Sequence, residues 1–545
     1  MLTATISQAE RRHEVVLLLL LVISGAYFHG GGASNQNVRF DAMVAVMEGE
    51  GFRIDQFMRG PDGILSEPPP TGGNTVDWSF SPPNGVIQPQ PGSDRVPGHY
   101  YANKAPGTIL IGSAVYSVVR GTWGVFGAVA PGPASTEFQL YLVNLFLSVV
   151  PVALAGLALR RVALNLGASH LRASTIALLM VLATPFLPYQ TQLWGHPTAA
   201  SFATLGLAAA LRLNRRAAFV SGFSVGMALL CDYLAVLWVL LLGIWWLWKR
   251  PRLLAVWFLG GVLPALAFFA YHQACFGSPL ALATDTTNEV FVDDDHALGV
   301  LGVPQPERVA ALLLSRYRGL PVQVPLLLLT PVGLGFWWWR RHPRREIVWL
   351  IVAGIGIYLL ANGAFNGWHA GSSAVARYQI LALPLWALAL LWVPWRGAWR
   401  WVTGGLAFLS LANMLVLALV GPLTPEWYGA SPRWWNPTWT PPAEFAAGVS
   451  AAAEEHPFAR PDLFYDPVYG WSWREFLHGR VAAGAMRPYM PLEIGGAEFW
   501  NPTNAGLLLG LDGALSVLPL LLIFFGGGVW LLRSARDLDS RQKVP

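Results

Sequence analysis

The chain has 545 residues, of which 54% are hydrophobic and only 12% are charged, and its mean hydropathy is +0.44. Because soluble domains carry about 25% charged residues, this composition excludes a soluble protein and indicates a protein embedded in a membrane. The net charge of +5 does not indicate a nucleic-acid partner, since the basic residues form short clusters between apolar runs. Two cysteines, Cys231 and Cys275, make no disulfide framework.

Hydropathy and segment length predict about twelve transmembrane helices and therefore an all-α polytopic fold. The first helix follows Arg11 and Arg12 and could pass for a signal peptide, but we expect it to stay uncleaved because many spans follow it. The predicted spans lie near residues 14–33, 137–159, 173–189, 197–211, 217–231, 233–248, 253–272, 321–339, 346–362, 378–394, 401–421 and 514–533.

Residues 108–130 are apolar but are not counted as a span. Arg120 lies in the middle of this segment, where it would cost about 2.5–3.5 kcal/mol in a membrane helix. The uninterrupted apolar run 108–119 would cover only roughly 18 Å of a hydrocarbon core about 30 Å thick. We therefore expect an interfacial or re-entrant element on the outer side.

The positions of the basic residues predict the orientation of the chain. With a cytoplasmic N-terminus, Arg and Lys lie in nearly every short inner loop, whereas the short outer turns 190–196 and 231–233 contain neither. The expected location is the cytoplasmic membrane, with the active site on its outer face. The inner basic residues are Arg160, Arg161, Arg172, Arg212, Arg215, Arg216, Lys249, Arg250, Arg252, Arg340, Arg341, Arg344, Arg345, Arg396, Arg400, Arg533 and Arg536.

Most of the polar sequence lies in three outer loops, 34–136, 273–320 and 422–513. The chain is accordingly divided into a transmembrane module (1–421, with outer loop 34–136), an outer loop or small lobe (422–513), and a last transmembrane helix with a cytoplasmic tail (514–545). Residues 67–98 are rich in Pro and Gly and are expected to be irregular.

The first outer loop contains two ionisable residues next to apolar segments, Asp41 and Lys104. Such groups are costly at a bilayer surface unless a partner or water holds them, so they are functional candidates. A carboxylate and an amine that face one cavity suit transfer of a group from a phosphate-linked donor, with the acid accepting a proton and the amine stabilising the leaving phosphate. The alternative is an interfacial Arg39–Asp41 ion pair and a Lys104 side chain that reaches to lipid headgroups.

Other residues of the predicted outer side have a functional and a purely structural interpretation. His196 begins a span and could be a ligand, a general acid or only a neighbour of a helix cap, whereas Asp232 is favoured as a helix cap. Arg377, the only basic residue of its outer loop, could clamp a phosphate or anchor the interface. The acidic run 293–295 could bind a divalent cation, although such runs are more often simply solvated; the sequence identifies no certain cofactor.

Several stretches, taken in order, resemble the bacterial polytopic C-type glycosyltransferases (GT-C fold), the group with protein O-mannosyltransferases and lipid A aminoarabinose transferases. They are N-V-R-F-D (37–41), Y-A-N-K-A-P-G (101–107), P-Y-Q-T-Q-L-W-G-H (188–196), C-F-G-S-P-L (275–280), N-G-W-H-A-G-S-S-A-V-A-R-Y (366–378) and the tail 504–520. The likeness covers nearly the whole chain.

The resemblance implies a GT-C-like bundle that moves a single sugar from a polyprenyl-phosphate-linked donor to a glycan, lipid or protein acceptor. It implies Asp41 as the catalytic base and Lys104 and Arg377 as ligands of the donor phosphate. Arg39, Tyr101 and His196 are expected to support the site. Members with a second acidic residue carry it where this chain has Gly195-His196, so His196 could replace that acid as a polar or metal-binding group.

The reaction and its alternatives make different predictions. A single base and a displaced phosphate predict inversion at the anomeric carbon, and the lack of a nucleotide-binding motif favours a lipid-linked donor. A transporter or lipid flippase would show internal repeats and paired broken helices, which the sequence does not show. A non-catalytic assembly factor would tolerate substitution of Asp41, Lys104 and Arg377.

Overall fold

The described part of the chain is mostly helical, with 75% helix and 4% strand. The computed structural model describes residues 7–30, 33–58, 75–82, 98–125, 133–288, 291, 297, 299–315, 318–371, 373–423, 472–473, 476–477, 492–494, 497–499 and 503–541. Most of the predicted outer lobe 422–513 and all of the acidic run 293–295 lie outside these residues.

The helices and strands follow one another along the chain with short connections. The helices are α1 (Gln8–Ala26), α2 (Ser34–Met47), α3 (Gly107–Val125), α4 (Pro133–Asn144), α5 (Val150–Asn165), α6 (His170–Leu182), α7 (Phe186–Tyr189), α8 (Gly195–Ala210), α9 (Arg215–Cys231), α10 (Val236–Lys249), α11 (Leu254–Phe276), α12 (Pro306–Leu314), α13 (Leu320–Gln323), α14 (Thr330–Trp339), α15 (Ile347–Ala364), α16 (Leu383–Ala389), α17 (Ala398–Val420), α18 (Ala505–Leu508) and α19 (Leu518–Arg541). The strands are β1 (Phe28–His29), β2 (Trp78–Ser81), β3 (His99–Ala102), β4 (Leu492–Ile494), β5 (Ala497–Phe499) and β6 (Thr503–Asn504).

Five segments of the described chain are long and apolar enough to cross a membrane, and they define an all-α membrane protein. They are Glu137–Asn165, Pro251–Phe276, Ile347–Ala364, Ala398–Val420 and Gly513–Arg541. Each of the twelve predicted spans overlaps a helical segment, but several of these segments are shorter, such as His170–Leu182 and Arg377–Trp392. The first predicted span, 14–33, is too long, because α1 ends at Ala26 and strand β1 follows it. The number twelve and the orientation therefore stay predictions.

Local sequence explains where several helices begin. The side chains of Ser7, Ser169 and Asn214 accept hydrogen bonds from backbone N–H groups three residues later, at 3.1, 3.3 and 2.9 Å. Each is an N-cap that satisfies one of the donors left open in a first helical turn. Helices α1, α6 and α9 therefore begin where the sequence supplies a small polar side chain.

The bundle packs closely where glycines remove side chains from the interface. A Cβ atom on Gly222 of α9 would lie only 1.8 Å from the carbonyl oxygen of Trp257, and one on Gly260 of α11 would lie 2.1 Å from that of Phe219. Small residues are the usual means by which membrane helices approach closely. Only 17% of the most apolar window of the span Pro251–Phe276 is buried, so most of its surface is left to face lipid.

The first and last long helices lie side by side. Strand β1, after α1, pairs antiparallel with β6, before α19, and the Tyr27 hydroxyl donates to the Ser516 carbonyl at 2.6 Å. Near the other end of α1, His13 hydrogen-bonds Ser534 of α19 at 3.1 Å and Ser174 of α6 at 2.8 Å. Polar contacts at both ends of α1 thus join the N- and C-terminal helices.

The predicted first outer loop contains a helix, a hairpin and a second helix. Strands β2 and β3 pair antiparallel, with Trp78 opposite Ala102, and the hairpin packs on Val38 and Ala42 of α2 and on Ile109 of α3. The segment expected to be interfacial or re-entrant forms the 19-residue helix α3, and this helix is not among the candidate spans. Lys104 thus lies between strand β3, which ends at Ala102, and helix α3, which begins at Gly107.

Candidate functional site

Six charged or titratable side chains from distant parts of the chain meet where α3 and α8 begin and α9 ends. They are close enough to influence one another's ionisation, and we call them the charged cluster. Its members are Arg39 of α2, Asp77 before β2, Lys104 after β3, His196 of α8, Asp232 after α9, and Arg377 at the start of a 3₁₀-helical turn.

Lys104 pairs with a carboxylate that comes just before the other strand of the hairpin. Its Nζ lies 2.6 Å from Oδ1 of Asp77, and the two side chains are 19% and 10% exposed. The pairing of Trp78 with Ala102 and the bond from the Asn103 N–H to the Asp77 carbonyl (3.2 Å) bring the two residues together. Lys104 is therefore held inside the protein and does not reach to lipid headgroups, so that alternative is wrong.

Burial and neighbouring charges act in opposite directions on this pair. Burial disfavours the Asp77 carboxylate, but the Lys104 ammonium, then Arg377 and Arg39, outweigh burial and hold the pKa of this carboxyl below its usual value. Burial lowers the pKa of the Lys104 ammonium, and Asp77 offsets the effect only in part. At neutral pH the two groups form an ion pair with nearby cations on one side.

Arg39 is almost completely buried and hydrogen-bonds uncharged oxygens. Its Nε donates to Oγ1 of Thr108 at 3.0 Å, and its Nη1 donates to the carbonyl of Asn35 at 2.5 Å and to that residue's side-chain oxygen. Burial lowers the pKa of Arg39 to about 10, with partial compensation from Asp77 and Asp232. The guanidinium thus stays charged at neutral pH and interacts electrostatically with Asp77, Asp232 and Arg377.

Asp41 lies on the same helix as Arg39 and is fully buried. Two helical positions separate side chains by about 200°, so Asp41 leaves α2 on a different side from Arg39. The hydrogen bonds of Arg39 go to Asn35 and Thr108, which does not favour the ion pair that was the alternative interpretation. The role of Asp41 as a base stays a prediction.

Arg377 stacks between two aromatic rings. Its guanidinium carbon lies 4.6 Å from the ring centre of Trp194 and 5.3 Å from that of Tyr378. Its Nε is buried and meets no acceptor among the residues that the structure describes. The rings fix the planar guanidinium by cation–π contact, and Tyr378 also hydrogen-bonds it, which leaves Nε for a ligand.

Trp194 is itself held firmly in place. Its ring lies 5.0 Å from that of Tyr189 in an edge-to-face contact. The hydroxyl of Tyr189 hydrogen-bonds Ser373 and donates to the Pro422 carbonyl at 3.3 Å. The platform under Arg377 therefore connects α7 with the segments around residues 373 and 422.

His196 and Asp232 form a buried pair. Nδ1 of His196 contacts Oδ2 of Asp232, and Oδ1 of Asp232 accepts a hydrogen bond from the Leu234 N–H at 3.0 Å. The latter bond confirms the predicted helix cap, and the former adds a contact that the cap interpretation did not include. The imidazole ring lies 5.5 Å from the Tyr378 ring and 6.1 Å from the Trp194 ring, beside Arg377.

Two glycines allow the helix ends to meet. A Cβ on Gly107 would lie 2.6 Å from the Leu230 carbonyl oxygen, and one on Gly195 would lie 2.5 Å from that of Cys231 and 3.0 Å from Nη2 of Arg39. Helices α3 and α8 thus begin against the end of α9. Helix N-termini carry a partial positive charge and open N–H groups, which favour an anion.

The structure does not join every predicted residue to the cluster. Tyr101 packs in a buried group with Tyr271 and Cys275, and its ring lies 5.6 Å from that of Phe276. Tyr101 thus lies in a different group from the charged cluster, and its supporting role stays a prediction. Sequence reasoning missed Asp77, Trp194 and Tyr378, although the last two lie inside the motifs quoted above.

The described part of the chain shows no group of three or more His, Cys, Asp or Glu side chains placed to hold a metal ion. Of the two metal sites considered from sequence, residues 293–295 fall outside that part, and His196 belongs to no such group within it. The chemistry of the charged cluster is that of an anion site: with a neutral imidazole it holds the three cations Arg39, Lys104 and Arg377 against the two carboxylates Asp77 and Asp232.

Comparisons with protein-family models, with curated protein sequences and with solved structures gave no significant match for this chain. The fold itself defines the class of the protein, a polytopic all-α membrane protein.

Proposed function

We propose that the protein is a membrane glycosyltransferase that moves one sugar from a polyprenyl-phosphate-linked donor to an acceptor at the outer face of the cytoplasmic membrane. The observation that carries the proposal is the convergence of Arg39, Lys104 and Arg377 at two helix N-termini. Buried charges are costly unless they are compensated. A lipid phosphate at the membrane surface would add negative charge beside these three cations.

The three cations differ in how much of their charge the protein already compensates. Lys104 has the Asp77 carboxylate, whereas Arg39 binds uncharged oxygens and Arg377 rests on aromatic rings. Guanidinium groups bind phosphate through two parallel hydrogen bonds. The arginines therefore suit an incoming phosphate, with the lysine as a point charge beside it.

The transfer needs a base for the acceptor. In the proposed reaction the Asp41 carboxylate takes the acceptor hydroxyl proton, and the acceptor oxygen attacks the anomeric carbon. The bond from that carbon to the phosphate oxygen breaks, and its electron pair leaves with the polyprenyl phosphate. A single displacement of this kind inverts the anomeric configuration. The acceptor is a glycan, a lipid or a protein.

Binding of undecaprenyl phosphate to protein in nanodiscs tests the donor site. Lys104→Ala and Arg377→Ala should each weaken binding about 10- to 100-fold, because a hydrogen bond to a charged group contributes about 1.5–3 kcal/mol. The double variant should lose less than the product of the two factors, since residues that share a ligand couple.

The chain offers matched controls for both substitutions. Lys249 is 21% exposed and lies 3.6 Å from Glu346, and Arg172 stacks on Trp395 at 5.0 Å. Lys249→Ala and Arg172→Ala should leave binding unchanged, and undecaprenol, which lacks the phosphate, should not bind to the site. Strictly multiplicative losses would mean that Lys104 and Arg377 do not share the phosphate, and unchanged binding in both single variants would refute the donor site.

Asp41→Asn tests the base separately from the donor site. It keeps the shape of the side chain and removes the proton acceptor, so turnover should fall about 10²- to 10⁴-fold with undecaprenyl phosphate affinity retained. The measurement is release of undecaprenyl phosphate from a panel of undecaprenyl-phosphate-linked hexoses. Asp55→Asn, in the same outer loop, is the control, and full turnover in Asp41→Asn would remove Asp41 from the mechanism.

A further inference from the structure

The described residues contain two histidine–aspartate pairs of the same kind. In each, Nδ1 of the histidine contacts Oδ2 of the aspartate, and Oδ1 of the aspartate accepts a hydrogen bond from a backbone N–H. The His196–Asp232 pair is 9% and 8% exposed, whereas the His99–Asp55 pair is 45% and 22% exposed. Only the first pair belongs to the charged cluster, so only this pair is placed to meet its ligand.

The surroundings of His196 fix which ring nitrogen can act. Asp232 is held at both oxygens, one by the imidazole and one by the Leu234 N–H at 3.0 Å. A carboxylate at Nδ1 selects the form of the ring with a proton on that atom. Nε2 hydrogen-bonds no residue in the described ranges, so it is the nitrogen left to exchange a proton with a ligand.

The same aromatic rings place His196 next to the expected phosphate. Trp194 and Tyr378 contact both the imidazole and the Arg377 guanidinium. A phosphate that binds Arg377 would therefore lie beside the imidazole. The departing phosphate gains negative charge as its bond to the sugar breaks, and a proton or a charge-assisted hydrogen bond stabilises that charge.

We infer that His196, oriented by Asp232, is the general acid that protonates the departing phosphate, an inference that rests on the proposed sugar transfer. As the bond between the anomeric carbon and the phosphate oxygen breaks, its electron pair stays on the phosphate, and Nε2–H of the imidazolium passes its proton to that phosphate. The proton of the acceptor hydroxyl goes to Asp41, so the reaction leaves Asp41 protonated and His196 neutral. Proton exchange with water then restores both groups.

The surroundings of His196 act on its protonation in opposite directions. Burial disfavours the imidazolium most, and Arg377 and Arg39 disfavour it as well; together they outweigh Asp232, which favours it, and hold the pKa of His196 below its usual value. Tyr378 lies against the ring. A bound phosphate supplies the negative charge that offsets the two arginines. The imidazolium is therefore favoured most when the phosphate is present, which is when an acid is needed.

The test measures the dissociation constant of undecaprenyl phosphate in nanodiscs from about pH 5.5 to about pH 8.5, the range in which a histidine titrates. Wild type should bind more tightly at low pH, where His196 is protonated. His196→Gln should lose this part of the pH dependence, with affinity reduced about tenfold at the acidic end and unchanged at the alkaline end. Because the ligand's own titration is the same for every variant, the difference from wild type isolates His196.

Asp232→Asn separates a positioning role from a structural one. Removing the carboxylate lowers the pKa of the imidazole, so the pH at which binding weakens should move downward. A merely structural residue would change affinity equally at every pH and leave this midpoint unmoved. His99→Gln and Asp55→Asn, which alter the exposed pair, should match wild type.

The outcomes separate this inference from the proposed function. If wild type binds undecaprenyl phosphate but not undecaprenol, and His196→Gln shows the same pH profile as wild type, the role of His196 is overturned and the donor site remains supported. Wild type that binds undecaprenyl phosphate no better than undecaprenol would refute the donor site, and the role of His196 with it. A profile changed equally by His99→Gln and His196→Gln would also overturn the assignment.

Discussion

Asp77 controls how readily Lys104 carries its charge. The lysine loses stabilisation on burial, and the carboxylate at 2.6 Å returns part of it. The pair therefore keeps an ammonium charged in a place where an isolated one would tend to lose its proton. This makes Asp77 a residue that sets the pH range of phosphate binding without touching the phosphate in the proposed arrangement.

Asp77→Asn should make undecaprenyl phosphate binding fail at a lower pH than in wild type. Binding needs a protonated Lys104 and weakens as the pH rises through the pKa of this group, which burial holds below its usual value of 10.5. Without the carboxylate the pKa of Lys104 falls further, so binding should begin to weaken at a lower pH than in wild type. The measurement is affinity from about pH 8 to about pH 10.5.

Lys104→Arg is the control for this prediction, because a guanidinium stays protonated throughout that range. Its binding should not weaken at alkaline pH in this way, even if its affinity differs from wild type. Binding that weakens at the wild-type pH in Asp77→Asn would show that Asp77 does not sustain the charge of Lys104.

Four members of the charged cluster were predictable from the sequence, and the other two were not, because their partners are distant in the chain. Arg39, Lys104, His196 and Arg377 lie in recognisable motifs. Asp77 follows an irregular Pro/Gly-rich stretch, and its partner is 27 residues away, so no local pattern connects them. For Asp232 the local pattern shows only the cap, because its contact with His196 is 36 residues away and depends on packing.

At the scale of elements, the site depends on how closely α3, α8 and α9 approach one another. Gly107→Ala and Gly195→Ala would each place a Cβ against backbone atoms of residues 230–231, at 2.6 and 2.5 Å, and backbone cannot move aside easily. Overpacking of this kind costs about 1–3 kcal/mol. Both variants should unfold at lower temperature by tryptophan fluorescence and bind undecaprenyl phosphate more weakly.

Gly356→Ala provides the comparison for the two glycine variants. Gly356 lies within α15, and a Cβ there would meet nothing within 4 Å. Alanine is favoured over glycine in a helix by up to about 1 kcal/mol, so this variant should unfold at the same temperature as wild type or higher. The same result for Gly107→Ala and Gly195→Ala would contradict the close approach of the three helix ends.

The helical segments were predictable because they depend on long apolar runs, but their exact form was not. Residues 321–339 read as one span, yet the structure divides them into α13, a 3₁₀-helical turn (Pro325–Leu329) and α14. Proline at each start removes a backbone donor and interrupts the regular hydrogen bonding. Helix α2 was read as loop, because polar and apolar residues both lie buried on it and hide the usual periodicity.

At the scale of the whole molecule, the basic residues predict that the charged cluster faces away from the cytoplasm. In a variant with Cys231→Ala and Cys275→Ala, both natural cysteines being buried, Glu50→Cys should react with an impermeant thiol reagent from outside intact cells. Arg340→Cys should react only after permeabilisation. The cysteine-free parent should not react, and the reverse pattern would overturn the orientation.

The pairing of α1 with α19 has a consequence for the order of events during synthesis. The hydroxyl of Tyr27 donates to a carbonyl that is 489 residues further along the chain. A ribosome needs roughly 25 to 100 s to synthesise this length at about 5–20 residues per second. Until then the first helix shares the bilayer with its neighbours while one side lacks its final partner. Completion of the bundle thus requires α19, and a chain that is truncated before residue 503 should lack the partners of β1 and Tyr27.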